Sequence, residues 1–298
     1  MQDPEPFLMV RGPLTPNPDA GVVRLALVQT DPKIRDTKAN VASCRRAAQI
    51  AAEENCTLAA FPECALTGYC FDSLEEAREG AIYRDGDAVQ ELCRVATETN
   101  VHLVVGYLER TPLGVANSVS VLGPDGIVAH YQKTHLPFLG ADRFTEAGRQ
   151  PFRAHEVAGI RVGLLICYDA SFPEASRLLA LDGADLILLP TNWPEEAEEK
   201  TQWLPNTRAY ENVVYFASVN RIGEERGFRF HGRSRVCDPT GRTIVDAPAD
   251  EEAILVCEVD PRRSRQKRIV RRDGYWVDRI AGRREDLYRL RPVSEDEP

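Results

Sequence analysis

The residues of this chain best suited to covalent chemistry are a cysteine, a lysine and a glutamate. Each stands at or just past the end of an apolar run: Cys167 after "VGLLI", Lys133 after "IVAHYQ" and Glu63 after "LAAFP". Taken singly, each has a plainer reading. Cys167 could be core packing, Lys133 a surface residue at a hairpin end and Glu63 a turn cap. Taken together they form a complete set for acyl transfer. A free thiol, with a pKa of about 8.5, is only slightly ionised at neutral pH and needs a base. A carboxylate can take its proton. A lysine can stabilise both the thiolate and the oxyanion formed when a carbonyl carbon is attacked, and a helix starting after Cys167 would add backbone N–H groups and a positive dipole end.

The elements that must position these residues alternate along the chain. "VVRLALVQ" (22–29) reads as a strand, and 39–54 as a helix burying Val41, Cys44 and Ala48. "TLAAF" (57–61) is a strand, 85–100 an amphipathic helix, and "HLVVGYLE" (102–109) a strand again. From Asn117 to Lys133 two strands flank the turn Gly123-Pro124-Asp125-Gly126. The second half repeats the order: strand "GIRVGLLIC", helix "PEASRLLALDG" ended by Gly183, strand "DLILLP", helix "TQWLPNTRAYEN", strand "VVYFASVN", and a hairpin across Asp238-Pro239-Thr240-Gly241. This predicts an α/β protein of two stacked mixed sheets with helices outside, folded as one domain. Its expected bounds are residues 22–292, preceded by a flexible extension (1–21) and followed by a tail (293–298).

Composition narrows the function. With 37 basic and 46 acidic residues the formal charge is −9, which argues against a nucleic-acid partner. No apolar run approaches the roughly 20 residues that span a bilayer, and the acidic, proline-rich start does not resemble a signal peptide; no membrane partner and a cytoplasmic location are expected. The eight cysteines, at 44, 56, 64, 70, 93, 167, 237 and 257, lie scattered in apolar segments without CxxC spacing. They are expected to be reduced and mostly buried. The five histidines show no metal-ligand spacing, so no structural metal is expected. The arginine-rich stretch 261–292 reads as a solvated face.

The ordered blocks "FPECALTGY", "YQKTHLP", "LLICYDASFPE", "RAYENVVYFASVNR" and "FHGRSRVCDPTG" resemble those of the nitrilase, or carbon-nitrogen hydrolase, superfamily over roughly residues 22 to 290. The resemblance implies a four-layer αββα sandwich with Glu63 as general base, Cys167 as nucleophile and Lys133 as oxyanion stabiliser, aided by the Tyr168 N–H. It implies no cofactor, and a homodimer or larger homo-oligomer. Relatives often carry a second acid after the lysine; here Asp142 and Glu146 are the candidates, with Asp142 nearer the expected position. A substrate pocket is expected from Tyr69, Phe138, Phe144, Tyr168, Asn192 and Trp193, because "TNWP" directly follows another strand. Cys167-Tyr168-Asp169 resembles the amidase-type branch, and Ala170 and Ser171 stand where some relatives place an arginine for a substrate carboxylate. The expected substrate is therefore a small neutral amide, with an N-carbamoyl compound or a nitrile as alternatives. An inactive scaffold of the same fold is the reading from a different class.

Overall fold

The computed structural model describes residues 7–16 and 18–288. Strand β1 (Leu8–Arg11) precedes β2 (Val23–Gln29), helix α1 (Thr37–Glu53), β3 (Leu58–Ala60), the short α2 (Leu74–Gly80), α3 (Asp87–Thr99), β4 (His102–Arg110), β5 (Val115–Gly123) and β6 (Gly126–Gln132). Then follow β7 (Ala154–Val157), β8 (Ile160–Leu164), α4 (Pro173–Leu181), β9 (Leu186–Thr191), α5 (Glu198–Asn212) and β10 (Tyr215–Asn220). Two small hairpin pairs come next, β11 (Ile222–Glu225) with β12 (Phe228–His231) and β13 (Arg235–Cys237) with β14 (Thr243–Asp246). The chain continues through β15 (Ala253–Val259), α6 (Pro261–Arg265) and a last hairpin, β16 (Arg268–Arg272) with β17 (Tyr275–Asp278).

Two mixed sheets form the middle layers. One has the order β1-β15-β2-β3-β4-β5-β6, the other β14-β13-β10-β9-β8-β7. Strand alternation assigns the faces. In the first sheet Leu25, Leu27, Ala60, Val104, Val119, Val121, Ala129 and Tyr131 share one buried cluster with Val162, Leu164, Leu186 and Leu188 of the second. The intervening Ala26, Val28, Ala59, Leu103 and Val105 instead meet Cys44, Ala47, Ala48 and Ala51 of α1 and Val89, Leu92, Val95 and Ala96 of α3. On the far side Ala175 and Leu179 of α4 and Ala209 of α5 cover the second sheet. The result is the expected four-layer αββα sandwich. All eight cysteines are free, and all but Cys93 are buried.

Local signals explain several element ends. Asp36 caps α1 by accepting from the Ala39 N–H at 3.0 Å. Pro173 starts α4, and Gly183 follows its end at φ +87°. Three expectations need correction. Leu8–Arg11, assigned to a flexible extension, form β1, which pairs parallel with β15. The sequence reading has no strand at β15, which stands between β1 and β2 inside the sheet. The helix expected directly after Cys167 is a 3-10 turn, Cys167–Ser171, with α4 beginning at Pro173. Proline disfavours helical backbone in the residue before it, and Phe172 is extended at φ −99°, ψ 108°. Residues 1–6 of the expected extension and the expected tail 293–298 lie outside the described residues. Among the described residues no helix is long and apolar enough to cross a membrane.

One close approach ties the first sheet to the segment that follows β3. A side chain at Gly106 on β4 would place its Cβ 2.7 Å from the Cys64 nitrogen and 2.8 Å from the Pro62 carbonyl oxygen. Both contacts are backbone and cannot swing aside. Gly106→Ala is therefore expected to lower stability by about 1–3 kcal/mol, the usual cost of overpacking, measured as a reduced urea midpoint. An unchanged midpoint would show that the segment 62–68 moves freely.

Candidate active site

Four side chains from separate elements converge where the two sheets face each other. Glu63 lies in the turn after β3, anchored by the Phe61 N–H on the Val104 carbonyl (2.9 Å) and the Leu66 N–H on the Gly106 carbonyl (3.1 Å). Lys133 directly follows β6 and continues the Ala129–Tyr131 face that looks toward the second sheet. Its backbone is held on both sides, N–H to the Asn117 carbonyl and carbonyl to the Gly148 N–H, each 2.8 Å. Asp142 sits in a 3-10 turn, Gly140–Arg143. That turn packs so closely on Tyr69 that a Cβ at Gly140, whose φ is +51°, would fall 2.3 Å from the ring. Cys167 follows β8 in the left-handed region at φ +44°, an uncommon conformation for a residue with a side chain.

The polar atoms form a dehydrated ion cluster. Lys133 Nζ lies 2.7 Å from Glu63 Oε1 and 2.5 Å from Asp142 Oδ2, and all three residues are buried. Asn117 donates from Nδ2 to Glu63 Oε1 at 2.7 Å and to Asp142 Oδ1 at 2.9 Å. The Tyr69 hydroxyl stands 2.8 Å from Asp142 Oδ2. Burial alone would strip the proton from Lys133, but Asp142 and Glu63 outweigh it and hold the ammonium well above the usual lysine range. Burial raises the proton affinity of Glu63, against the pull of Lys133. The Cys167 thiol is pushed up to about 12, first by burial and then by the charge of Glu63, with Lys133, Thr191 and the Asn192 N–H opposing.

A second network fixes the turn that bears Cys167. Asp169 is fully buried and accepts from the Ile166 N–H (3.0 Å), the Tyr131 hydroxyl (2.8 Å), the His135 N–H (2.9 Å) and His135 Nδ1 (2.8 Å). It thus ties the turn bearing Cys167 to the strand end bearing Lys133. Arg208 of α5 reaches the same turn, donating from Nε to the Ala170 carbonyl at 2.9 Å. On the other flank buried Arg221 pairs with Glu225 at 3.0 Å, and Glu225 Oε1 accepts from the Tyr69 and Cys70 N–H groups.

The sequence-derived candidates divide as follows. Glu63, Lys133, Cys167, Asp142 and Tyr69 are brought together, although Tyr69 is turned onto Asp142 and its hydroxyl is occupied there. Asn192 and Trp193, beyond the end of β9, are buried beside Cys167 with Asn192 Nδ2, Asn192 Oδ1 and Trp193 Nε1 lacking any partner among the described residues. Tyr168 is half-buried, edge-on to Phe172 with Lys200 Nζ 5.5 Å from its ring centroid. Phe144 is half-buried under Arg143. Phe138 is 90% exposed and lines a surface cavity with Cys70, Leu139 and Arg143, and it makes no recorded contact with the buried cluster. Glu146 is exposed, its N–H spent on the Val115 carbonyl, and only Asp142 reaches the lysine. Sequence reasoning missed Asn117, whose one signal is an amide on the otherwise apolar inward face of β5 beside Val119 and Val121, and the clamping roles of Asp169 and Arg208.

Comparison with known proteins gives the family of the chain. The carbon-nitrogen hydrolase family model matches residues 24–269. A protein of Pyrococcus abyssi (strain GE5 / Orsay) named nitrilase is 35% identical, covering 90% of this chain and 99% of its own. An (R)-stereoselective amidase of a Pseudomonas species is 32% identical, covering 86% and 91%. Among solved structures, a double mutant of the amidase from Nesterenkonia sp. AN1 in complex with acrylamide superposes with a TM-score of 0.75 at 25% identity, covering 91% of this chain and 97% of that one. With a family match spanning most of its length and relatives alike from end to end, the chain belongs to the carbon-nitrogen hydrolase family.

Proposed function

We propose that the protein hydrolyses a small neutral amide to the acid and ammonia, with Cys167 as nucleophile, Glu63 as general base and Lys133 as the charge that holds the oxyanion. The observation that carries this reading is the ion cluster itself: a lysine sealed between two carboxylates, beside a cysteine in a left-handed backbone. Buried charge and backbone strain are both costly, and they concentrate where a site is preorganised for chemistry. A solved mutant of the Nesterenkonia amidase carrying the acetamide moiety of fluoroacetamide on its active-site cysteine supports a nucleophilic thiol in this fold.

The two acids are not equivalent. Asp142 accepts from Lys133, Tyr69 and Asn117, so both of its oxygens are engaged. Glu63 uses only Oε1, and its buried Oε2 has no partner among the described residues. Glu63 is therefore the acid with an oxygen free to take the thiol proton, and its raised proton affinity suits a base that must later give the proton back. As Sγ bonds to the carbonyl carbon, the oxygen gains charge beside Lys133 Nζ and the Tyr168 N–H. Collapse of the adduct breaks the C–N bond, Glu63 protonates the departing nitrogen, and ammonia leaves a thioester. Water, deprotonated by Glu63, then attacks that thioester; the C–S bond breaks, the acid departs and the proton returns to Cys167. Asn192 and Trp193 offer their unpaired polar atoms to the substrate. Exposed Leu178, Leu181, Trp203 and Tyr210 on α4 and α5 support assembly as a homo-oligomer.

Nitrile hydrolysis is the second reading, favoured by the name of the Pyrococcus abyssi relative. Matched amide and nitrile pairs decide between them: a higher kcat/KM on the amide is expected, and a higher kcat/KM on the nitrile with free acid as product would reverse the assignment.

Cys167→Ala is expected to abolish ammonia release while retaining the wild-type urea midpoint; turnover in the purified variant would remove the mechanism. Glu63→Gln should slow kcat by about 10²–10⁴-fold. Asp142→Asn should lower stability by about 1–3 kcal/mol, because it weakens the charge-assisted bonds from Lys133, Tyr69 and Asn117, whereas Glu146→Gln should change stability by less than about 0.5 kcal/mol and leave the rate alone. Because the thiol is pushed up to about 12, the free enzyme should show no thiolate absorbance in a wild-type minus Cys167→Ala difference spectrum near neutral pH. A thiolate step below about pH 8 would instead show a preformed ion pair.

A further inference from the structure

Asn117 carries no charge and has no place in the proton transfers above, yet it is bonded to both acids of the buried cluster. It stands on β5, opposite Leu108 of β4, and is fully buried. Its side chain contacts both acids: one nitrogen, Nδ2, donates to Glu63 Oε1 at 2.7 Å and to Asp142 Oδ1 at 2.9 Å. An amide nitrogen has two hydrogens, so each carboxylate receives one and neither bond competes with the other. On the far side Asn117 Oδ1 lies 3.6 Å from Cys64 Sγ, and its backbone carbonyl receives the Lys133 N–H at 2.8 Å. One residue therefore touches the base, the second acid, the residue next to the base and the backbone of the lysine.

The bonds on Glu63 are unevenly shared between its two oxygens. Lys133 Nζ and Asn117 Nδ2 both fall on Oε1, at the same distance of 2.7 Å, while Oε2 is buried without a partner. A carboxylate held by one donor can rotate and present either oxygen. Held by two donors on one oxygen, from two directions, it presents the other.

We propose that Asn117 is a positioning residue: by pinning Glu63 Oε1 together with Lys133, and by holding Asp142 with its second hydrogen, it selects Oε2 as the oxygen that accepts the thiol proton. This inference rests on the thiol mechanism proposed above. A donor to the charged carboxylate also favours the anion, so Asn117 works against the burial that raises the proton affinity of Glu63. No other neutral side chain is found donating to both acids among the described residues. Replacing it with a group of the same size but without the N–H pair should free the carboxylate and make it easier to protonate.

The test is the pH dependence of kcat/KM for ammonia release by wild type, Asn117→Ser and Asn117→Asp, with Cys167→Ala run in parallel. Loss of a hydrogen bond to a charged group predicts a fall in kcat of about 10- to 100-fold in Asn117→Ser with little change in KM. The acid limb of the profile should also move to higher pH, by about one unit, as Glu63 loses a donor. Asn117→Asp keeps the shape and supplies a variant of the same volume if Asn117→Ser does not fold. It should move the acid limb in the same direction, because it adds a third carboxyl beside Glu63. A folded Asn117→Ser with wild-type kcat, or one whose rate falls while its acid limb stays in place, would overturn the positioning role. So would Asn117→Asp with an unmoved limb. Activity surviving in Cys167→Ala would instead remove the mechanism on which the inference stands, so the two failures are told apart.

Discussion

Burial of the Lys133 ammonium between Glu63 and Asp142 is the constraint on which the rest of this structure depends. A lone ammonium in a protein interior loses several kcal/mol of hydration and would give up its proton. Two carboxylates within hydrogen-bonding distance reverse that outcome, but they bring one negative charge more than they neutralise. The surplus is accommodated unequally. Asp142 is saturated with donors and fixed, while Glu63 keeps one bare oxygen and an elevated proton affinity. A site built this way holds its cation permanently and leaves a single oxygen for a travelling proton. In that environment burial and the charge of Glu63 hold Cys167 as a neutral thiol, and in the proposed mechanism the bare oxygen of Glu63 takes its proton as the substrate is attacked.

Holding four such groups in register requires elements far apart in sequence to end at one place. The four-layer sandwich supplies this through strand alternation: Ala129, Tyr131 and Lys133 face the second sheet because each is two residues from the last. Cys167 arrives from that second sheet, and the backbone turns sharply at it. The networks around the cluster then act as struts. Asp169 joins the cysteine turn to the lysine strand end, Arg208 supports it from α5, and Glu225 with Arg221 supports the Tyr69 loop. Each strut is buried and bonded to backbone, which suits a site whose groups must hold position within fractions of an ångström.

Much of this was legible in the sequence, for identifiable reasons. Strong apolar runs with period-two or helical spacing mark β2 to β6, β8 to β10 and the helices α1, α3, α4 and α5, and polar residues at strand ends mark Glu63, Lys133 and Cys167. The layered fold and the family were visible in the ordered blocks. What stayed hidden depends on partners distant in sequence. β1 looks like part of a proline-rich leader until β15, some 240 residues away, offers it an edge. Asp142 and Glu146 are both acids in one loop, and only the turn at Gly140 decides which one reaches the lysine. Asn117 reads as an ordinary strand residue until two carboxylates appear opposite it.

The central claim is that one acyl-thioester on Cys167 stands between substrate and product. It is tested most directly by partitioning that intermediate between water and added hydroxylamine, using an amide and an ester with the same acyl group. A common thioester predicts the same ratio of hydroxamate to acid from both substrates, with neither product formed by Cys167→Ala. A ratio that changes with the leaving group would show that water attacks the substrate directly, and would contradict the covalent role of Cys167.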